Sequence, residues 1–235
     1  METQIENYID YLNSVKHASA NTIASYRRDL KKMSRFFADR QCTDVRELRG
    51  TDLNSYVLDM ESHGMSTATI SRSIASMKSF FLYLLKQGEI TEDYADALKP
   101  PKIEKKAPET LSIEEINLLL DQPSRLTPKE IRDKAMLELL YATGMRVSEL
   151  INLKITDVNL TMNYILCRDV SKERVIPIEN VAKMALENYI KSVRESISHG
   201  SMFLFTNMKG QPMTRQGFWK LIKAYAAKAG IDHRI

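Results

Sequence analysis

Residues 98–110, LKPPKIEKKAPET, divide the chain into two parts that we expect to fold separately. The segment has three prolines and many charges but almost no periodic apolar residues, which is typical of a linker. A chain of 235 residues is also long enough to bury two cores. The sequence therefore predicts an N-terminal domain over 1–97, a linker over 98–110 and a second domain over 111–235.

The first domain is predicted to be a small bundle of helices. Its apolar residues recur every three or four positions, and the alternation that is typical of strands is absent. One stripe comprises Ile5, Tyr8, Ile9 and Leu12. Further helices are expected over about 22–39, 52–62 and 67–87, with glycine stops at 64 and 88.

The second domain is predicted to be α+β, mostly helical, with a small antiparallel sheet. Ser112 and Glu115 form a capping-box pattern at the start of its first helix. Two apolar tracts separated by a polar turn predict a hairpin over 164–167 and 174–178. Helices are expected over about 113–121, 128–143, 146–153, 181–198 and 214–230.

Charge and cysteine content exclude some classes of protein. The formal net charge is +4, and the basic excess lies in residues 111–235, which permits a nucleic-acid partner without demanding one. No apolar run is long enough for a membrane span, and the N-terminus lacks the pattern of a secretory signal. Cys42 and Cys167 form no spaced pair, so we expect reduced thiols, no zinc site and a cytoplasmic location.

The segment Leu139 to Leu150, LLYATGMRVSEL, is the most informative for chemistry. Gly144 can end one helix and let another begin at once, which holds Arg146 in the first turn of the new helix. Glu149, one turn later, can orient the guanidinium. The alternative is an ordinary helical hairpin with one surface ion pair.

Several motifs together resemble those of tyrosine recombinases, in particular the bacterial Xer group. The stretch ATGMRVSEL at 142–150 is similar to the first arginine box of that family. Segments 132–138, 172–177 and 213–219 are also similar to Xer sequences, and NTIASYRRDL at 21–30 is similar to the group's DNA-binding domain. The resemblance therefore spans the chain and implies an N-terminal helical, SAM-like core-binding domain followed by a catalytic domain that is incomplete at its C-terminus.

The resemblance implies strand exchange in DNA through a covalent intermediate. In the family, a tyrosine hydroxyl attacks a phosphodiester, forms a 3′-phosphotyrosyl bond and releases a 5′-hydroxyl. No cofactor and no metal is required. Two arginines bind the nonbridging oxygens as charge builds on phosphorus, and Arg146 matches the first of them.

The hairpin departs from the family pattern. Where the family usually has a lysine that protonates the leaving oxygen, this chain has Asp169, and an aspartate cannot donate a proton at neutral pH unless its pKa is strongly perturbed. Lys172 on the other side of the turn is therefore the second candidate catalytic residue. The alternative is that Lys172 is an exposed hairpin lysine.

The resemblance also implies duplex DNA as the partner, clamped between the two domains. Each candidate contact has the alternative of being a solvated surface charge. The candidates are Arg27, Arg28, Arg72 and Lys78 in the first domain, Lys102, Lys105 and Lys106 in the linker, and Arg215 and Lys220 at a helix start in the second domain.

The given sequence ends before the family's His-x-x-Arg box and tyrosine nucleophile would begin. Tyr141, Tyr164, Tyr189 and Tyr225 lie in apolar patterns and are expected in or near the core, so none is a candidate nucleophile. We therefore expect the chain alone to be inactive in cleavage, and a homo- or hetero-tetramer on synapsed DNA is expected only of a full-length form. The alternative function is a catalytically inactive DNA-binding protein that modulates a full-length recombinase.

Overall fold

The computed structural model describes residues 1–102, 109–168 and 173–231. The chain forms two compact units, Met1–Lys106 and Ala107–Ile235, whose boundary falls inside the predicted linker. Each unit has its own hydrophobic core. No described helix combines the length and the apolar character that a membrane span requires.

The first unit is built from four long helices. Ser19 and Ser66 cap the second and the fourth, where each hydroxyl accepts a backbone N–H bond from the third residue beyond it. The helices are α1 (Glu2–Ser14), α2 (Ala20–Ala38), α3 (Gly50–Ser62) and α4 (Thr67–Lys86).

The core of the first unit comes from the predicted helical stripes. All four residues of the α1 stripe are buried, and Tyr8 donates a hydrogen bond from its hydroxyl to Ser79 Oγ on α4 at 2.7 Å. Gly64 and Gly88 follow α3 and α4 with φ of 68° and 73°, as the predicted glycine stops require. Leu98, the first residue of the predicted linker, packs in this core. The helical fold of this unit is confirmed.

The second unit combines helices with a three-stranded antiparallel sheet. Its helices are α5 (Ile113–Asp121), α6 (Pro128–Thr143), α7 (Val147–Asn152), α8 (Asn180–Tyr189), α9 (Glu195–Ser198) and α10 (Arg215–Ala229). Its strands are β1 (Val158–Asn159), β2 (Tyr164–Arg168) and β3 (Glu173–Pro177), in the order β1-β2-β3. This architecture confirms the predicted α+β class.

Two features of the second unit were not predicted. A π-helical segment, Ile190–Arg194, joins α8 to α9, where the sequence predicted one continuous helix. Arg194 donates from Nη2 to the carbonyl oxygens of Ser201 and Phe203 at 2.6 and 2.9 Å. The other feature is β1, which pairs Val158 with Ile165 of β2.

Helix α6 carries charged side chains inside the second core. Asp133 has no exposed surface, and it accepts hydrogen bonds from Arg132 Nη2 at 2.6 Å and from the Tyr225 hydroxyl at 2.9 Å. Lys134 is buried and donates to the Leu120 carbonyl oxygen at 2.7 Å. These charges fasten α6 to α5 and α10, so the segment at 132–138 has a structural role in this chain.

Candidate functional site

The turn between α6 and α7 fixes the backbone of Arg146. Gly144 ends α6 in the left-handed conformation, with φ of 58°, where a side chain would add strain. Arg146 is the N-cap of α7, and its backbone N–H donates to Glu149 Oε2 at 2.6 Å. The sequence placed Arg146 in the first turn of this helix, and the structure places it one residue earlier. Its side chain remains 70% exposed.

Glu149 is a buried carboxylate that two arginines share. Arg174 on β3 binds it with both ends of its guanidinium, Nη1 to Oε1 and Nη2 to Oε2, each at 2.9 Å. Arg146 Nη1 lies farther away, 3.4 Å from Oε1. The hydrogen bonds from Arg174 are the largest cause of a lowered pKa for Glu149, and they outweigh the opposing effect of burial.

The geometry decides between the two interpretations of Arg146 only in part. The Arg146–Glu149 ion pair of the ordinary helical hairpin is present. It is long, however, and Arg174 forms the shorter, two-point contact with the same carboxylate. Glu149 therefore holds the backbone of Arg146 firmly and its guanidinium only weakly.

Arg146 and Arg215 line one open groove of about 690 Å³ in the second unit. Arg215 is the first residue of α10, and Thr214 caps that helix by accepting from the Gly217 N–H at 3.0 Å. No acidic side chain is among the described residues that line the groove, which are Leu140, Gly144, Met145, Arg146, Val147, Ser148 and Arg215. Two arginines, with no carboxylate among the described lining residues, suit the binding of an anion such as phosphate.

Three predicted DNA contacts of the first unit are engaged in contacts within the protein. Arg27 Nη2 lies 3.1 Å from Glu6 Oε2. Arg72 binds the buried Asp29 with Nε and Nη2, at 2.8 and 3.0 Å. Lys78 donates to the carbonyl oxygen of Asp96 at 2.8 Å. These residues therefore have structural partners, and their role towards DNA stays a prediction.

The other predicted contacts are exposed or lie outside the described residues. Arg28, Lys102 and Lys220 are exposed. Lys105, Lys106, Asp169 and Lys172 lie outside the described residues, so the structure places neither these two linker lysines nor the candidate hairpin lysine.

Arg174 is the residue of the cluster that the sequence did not single out. It pairs with Cys167 across the hairpin, and Cys167 is fully buried. Side chains of directly paired residues lie on the same face of a sheet, so Arg174 belongs to the face that packs towards the core. The sequence feature that could have identified Arg174 is its charge at an inward-facing position of the hairpin, because a charge at such a position requires a partner.

The tyrosines of the second unit are mostly unsuited to be nucleophiles. Tyr189 and Tyr225 are buried, and burial raises the pKa of Tyr189 to about 12. Tyr164 is half-buried, as expected. Tyr141 is 52% exposed, so the expectation that it lies in or near the core was wrong, because its side chain is on the solvent side of α6. None of them lines the groove beside Arg146.

Comparison with known proteins identifies the family. Residues 5–88 match the N-terminal SAM-like domain of phage integrases, and residues 109–235 match the phage integrase family itself. These two matches define the class of the fold, a SAM-like helical domain followed by an integrase domain. The chain belongs to the phage integrase family, that of the tyrosine recombinases, as the motifs at 21–30 and 142–150 predicted.

The relatives are of the Xer type. Over 98% of this chain and 76% of the relative, the sequence is 38% identical to tyrosine recombinase XerC of Roseiflexus sp. (strain RS-1). It is 39% identical to tyrosine recombinase XerD of Oceanobacillus iheyensis over 98% of this chain and 79% of the relative. A solved structure, the XerH site-specific recombinase bound to its palindromic difH substrate in a post-cleavage complex, has the same fold. The TM-score is 0.74 at 21% identity, over 98% of this chain and 68% of that one.

Proposed function

We propose that the chain binds duplex DNA as a site-specific recombinase and holds a backbone phosphate in the groove beside Arg146 and Arg215. One observation carries this proposal. Arg146 has a fixed backbone and a largely exposed guanidinium, and it shares with Arg215 a groove that no described carboxylate lines. The related XerH recombinase was solved in complex with its difH substrate, which supports a duplex as the partner.

The chemistry of such a site follows from the guanidinium group. Its planar, permanently charged donors bind the nonbridging oxygens of a phosphodiester at two points and stabilise the charge that develops during attack. In the proposed reaction a tyrosine hydroxyl attacks the phosphorus and gives its proton to a base, while the 5′ oxygen leaves and takes up a proton. Lys172 is the proposed donor of that second proton.

Binding and covalent chemistry are separate parts of the proposal. The ten tyrosines of the given sequence all lie among the described residues, and none lines the groove. We therefore expect these 235 residues to bind DNA without forming a covalent bond to it. A chain that binds without reacting also fits a DNA-binding protein that modulates a complete recombinase. The tetramer on synapsed DNA is proposed only for a complete form.

The binding experiment compares Arg146 with a matched cation elsewhere. Lys191 is 72% exposed and forms a 3.6 Å ion pair with Glu187, much as Arg146 does with Glu149. Fluorescence anisotropy on a labelled duplex should show that Arg146→Ala weakens binding about tenfold and lowers the salt slope by about one. Lys191→Ala should have little effect. Equal effects of the two variants would contradict a phosphate site at Arg146.

The covalent step has its own experiment. The chain is incubated with a duplex nicked near the cleavage position, which traps a phosphotyrosyl intermediate by releasing the short strand. After denaturation, gel electrophoresis should show free protein and free DNA. A protein–DNA adduct would prove that a tyrosine of this sequence reaches the phosphate, and would exclude the inactive modulator.

A further inference from the structure

The contact between Asp29 and Arg72 joins α2 to α4 in the first unit. Asp29 is 3% exposed, and Arg72 donates to its two carboxylate oxygens, from Nε at 2.8 Å and from Nη2 at 3.0 Å. The side chain of Arg72 is nevertheless 41% exposed. One edge of the guanidinium is therefore fixed on a buried carboxylate, while part of the same side chain reaches the solvent.

The far end of this guanidinium still has hydrogen-bond donors. Nε has a single N–H, whereas Nη1 and Nη2 have two each. The contact with Asp29 uses Nε and one N–H of Nη2, and Arg72 forms no other hydrogen bond or ion pair with the described residues. Nη1 and the second N–H of Nη2 make up what we call the outer fork. Such a fork is suited to a ligand with two adjacent acceptors.

The charge of the pair makes phosphate a poor ligand for the outer fork. Asp29 neutralises the guanidinium from a distance of 2.8 Å. Attraction to the phosphate backbone depends on net positive charge, and an arginine–aspartate pair has none. The donors of the outer fork are unchanged by this, so they can still bind acceptors that carry no charge. An uncharged pair of acceptors therefore fits this position better than a phosphate.

The surface of α4 around Arg72 can admit the edge of a base pair. Ala68 and Ala75 lie one turn to either side on the same face of the helix, and both are exposed. Small neighbours let a helix approach the floor of the major groove, which is wide enough for an α-helix. On that floor guanine presents two adjacent acceptors, N7 and O6, neither of which carries a charge.

We propose that Arg72 reads a guanine in the major groove and that Asp29 is the positioning residue that holds its guanidinium for this contact. The inference rests on the proposed binding of duplex DNA and adds to it a residue that selects sequence. N7 and O6 of the guanine accept from the outer fork. Arg146, by contrast, is proposed to bind a phosphate, which is the same at every base pair and selects no sequence.

The main experiment selects binding sites from a random-sequence duplex library, with the full chain and with the double variant Asp29→Asn, Arg72→Gln. The double variant loses one charge of each sign, so the net charge is unchanged and no buried charge is left unpaired. The full chain should select sites with a guanine that the double variant no longer prefers, a change of about tenfold in relative affinity. The same guanine preference in both would overturn the proposal.

A modified base tests the contact at the level of single atoms. In the selected site the preferred guanine is replaced by 7-deazaguanine, which lacks the N7 acceptor. Fluorescence anisotropy should show weaker binding of the wild-type chain to this duplex and unchanged binding of the double variant. Equal losses in the two proteins would show that N7 is not read by Arg72, and the proposal would fail.

A second arginine fork in the first unit provides the matched control. Arg46 binds Asp44 through Nε at 3.0 Å and Nη2 at 2.7 Å, but here the arginine is 65% and the aspartate 31% exposed. The double variant Asp44→Asn, Arg46→Gln removes the same charges from the same kind of contact. It should select the wild-type sites. Loss of the same guanine preference in this control would remove the special role of Arg72.

Asp29→Asn alone tests the positioning role. Asparagine offers a single acceptor oxygen and no charge, so it holds the guanidinium less firmly and leaves Arg72 with a net positive charge. The guanine preference should fall, and the salt dependence of binding should become steeper by about one as the released guanidinium reaches a phosphate. If Asp29 only maintained the fold, the variant would lower the unfolding midpoint and change neither quantity. That result would overturn the proposal.

Folding and failure of the underlying function are monitored separately. Circular dichroism confirms that the compared variants are folded. If the double variant is not, Arg72→Lys takes its place, because its ammonium can stay paired with Asp29 but has no fork; an undiminished guanine preference then overturns the proposal. A wild-type chain that binds no duplex contradicts the proposed function itself. A wild-type chain that selects a guanine which every variant also selects contradicts only the role of Arg72.

Discussion

Asp29 in the first unit and Glu149 in the second are both buried carboxylates bound by the forked guanidinium of an arginine. Asp29 has Arg72, at 2.8 and 3.0 Å, and Glu149 has Arg174, at 2.9 Å twice. The two sites differ in their further partners. Glu149 also has Arg146 at 3.4 Å, whereas among the described residues Asp29 has a single ion-pair partner, Arg72, which was itself predicted to contact DNA. In the second unit the arginine that neutralises the buried carboxylate and the arginine that we propose to bind phosphate are different residues.

The comparison predicts its largest effect for Arg72→Ala. This variant leaves Asp29, 3% exposed, without its cation, and should cost about 2–3 kcal/mol of unfolding free energy. Urea unfolding followed by far-UV circular dichroism should show the loss. Trp219, the sole tryptophan, lies in the second unit, so its fluorescence transition should not shift. The control is Arg28→Ala, exposed and next to Asp29; equal losses in both variants would remove the special role of Arg72.

Arg174→Ala should cost less, about 1 kcal/mol, because Arg146 can replace the missing partner of Glu149. The measurement is urea unfolding followed by Trp219 fluorescence. In the double variant with Arg146→Ala the carboxylate has lost both arginines, and the cost should rise to about 2–3 kcal/mol. If the second substitution added nothing, Arg146 would not compensate for Arg174, and the contrast with Asp29 would disappear.

The smallest effect concerns pH. Arg174 lowers the pKa of Glu149 below its usual value of 4.5. As the pH falls, Glu149 is therefore protonated in the unfolded chain at a higher pH than in the folded one. The stabilisation is therefore complete above about pH 4.5 and is lost as the pH falls through the lower pKa of the folded state. The stability difference between wild type and Arg174→Ala should shrink below that pH. A difference that stays constant would exclude Glu149 as its source.

Elements with local end signals were predictable from the sequence. The bounds of α5 and α6 agree with the prediction because Ser112 and Thr127 cap them through their own side chains and Gly144 ends α6. The π-helical segment and β1 were not predictable. The π-helical segment is accompanied by contacts of Arg194 with backbone carbonyl oxygens that lie beyond α9 in the chain. Strand β1 has only two residues, which is too few to show an alternation of apolar and polar side chains.

The candidate site shows the same division between local and distant causes. Arg146 could be found because its motif, its glycine and its glutamate are adjacent in sequence. The contacts Arg72–Asp29 and Arg174–Glu149 join residues 43 and 25 positions apart, and no local pattern encodes them. The sequence therefore proposes candidate cations, but only the fold shows which of them have partners within the protein.

The buried hydrogen bond between Tyr225 and Asp133 has a geometric consequence for the groove. Asp133 lies ten residues before the end of α6, and Tyr225 lies ten residues after Arg215, the start of α10. At a rise of 1.5 Å per residue, each helix extends about 15 Å from this shared anchor to the end nearest the groove. A rotation of one helix by only about 4° about this contact would therefore move its end at the groove by roughly 1 Å. The separation of Arg146 and Arg215 therefore depends on this contact in the core as well as on the direct packing of α10 against α7.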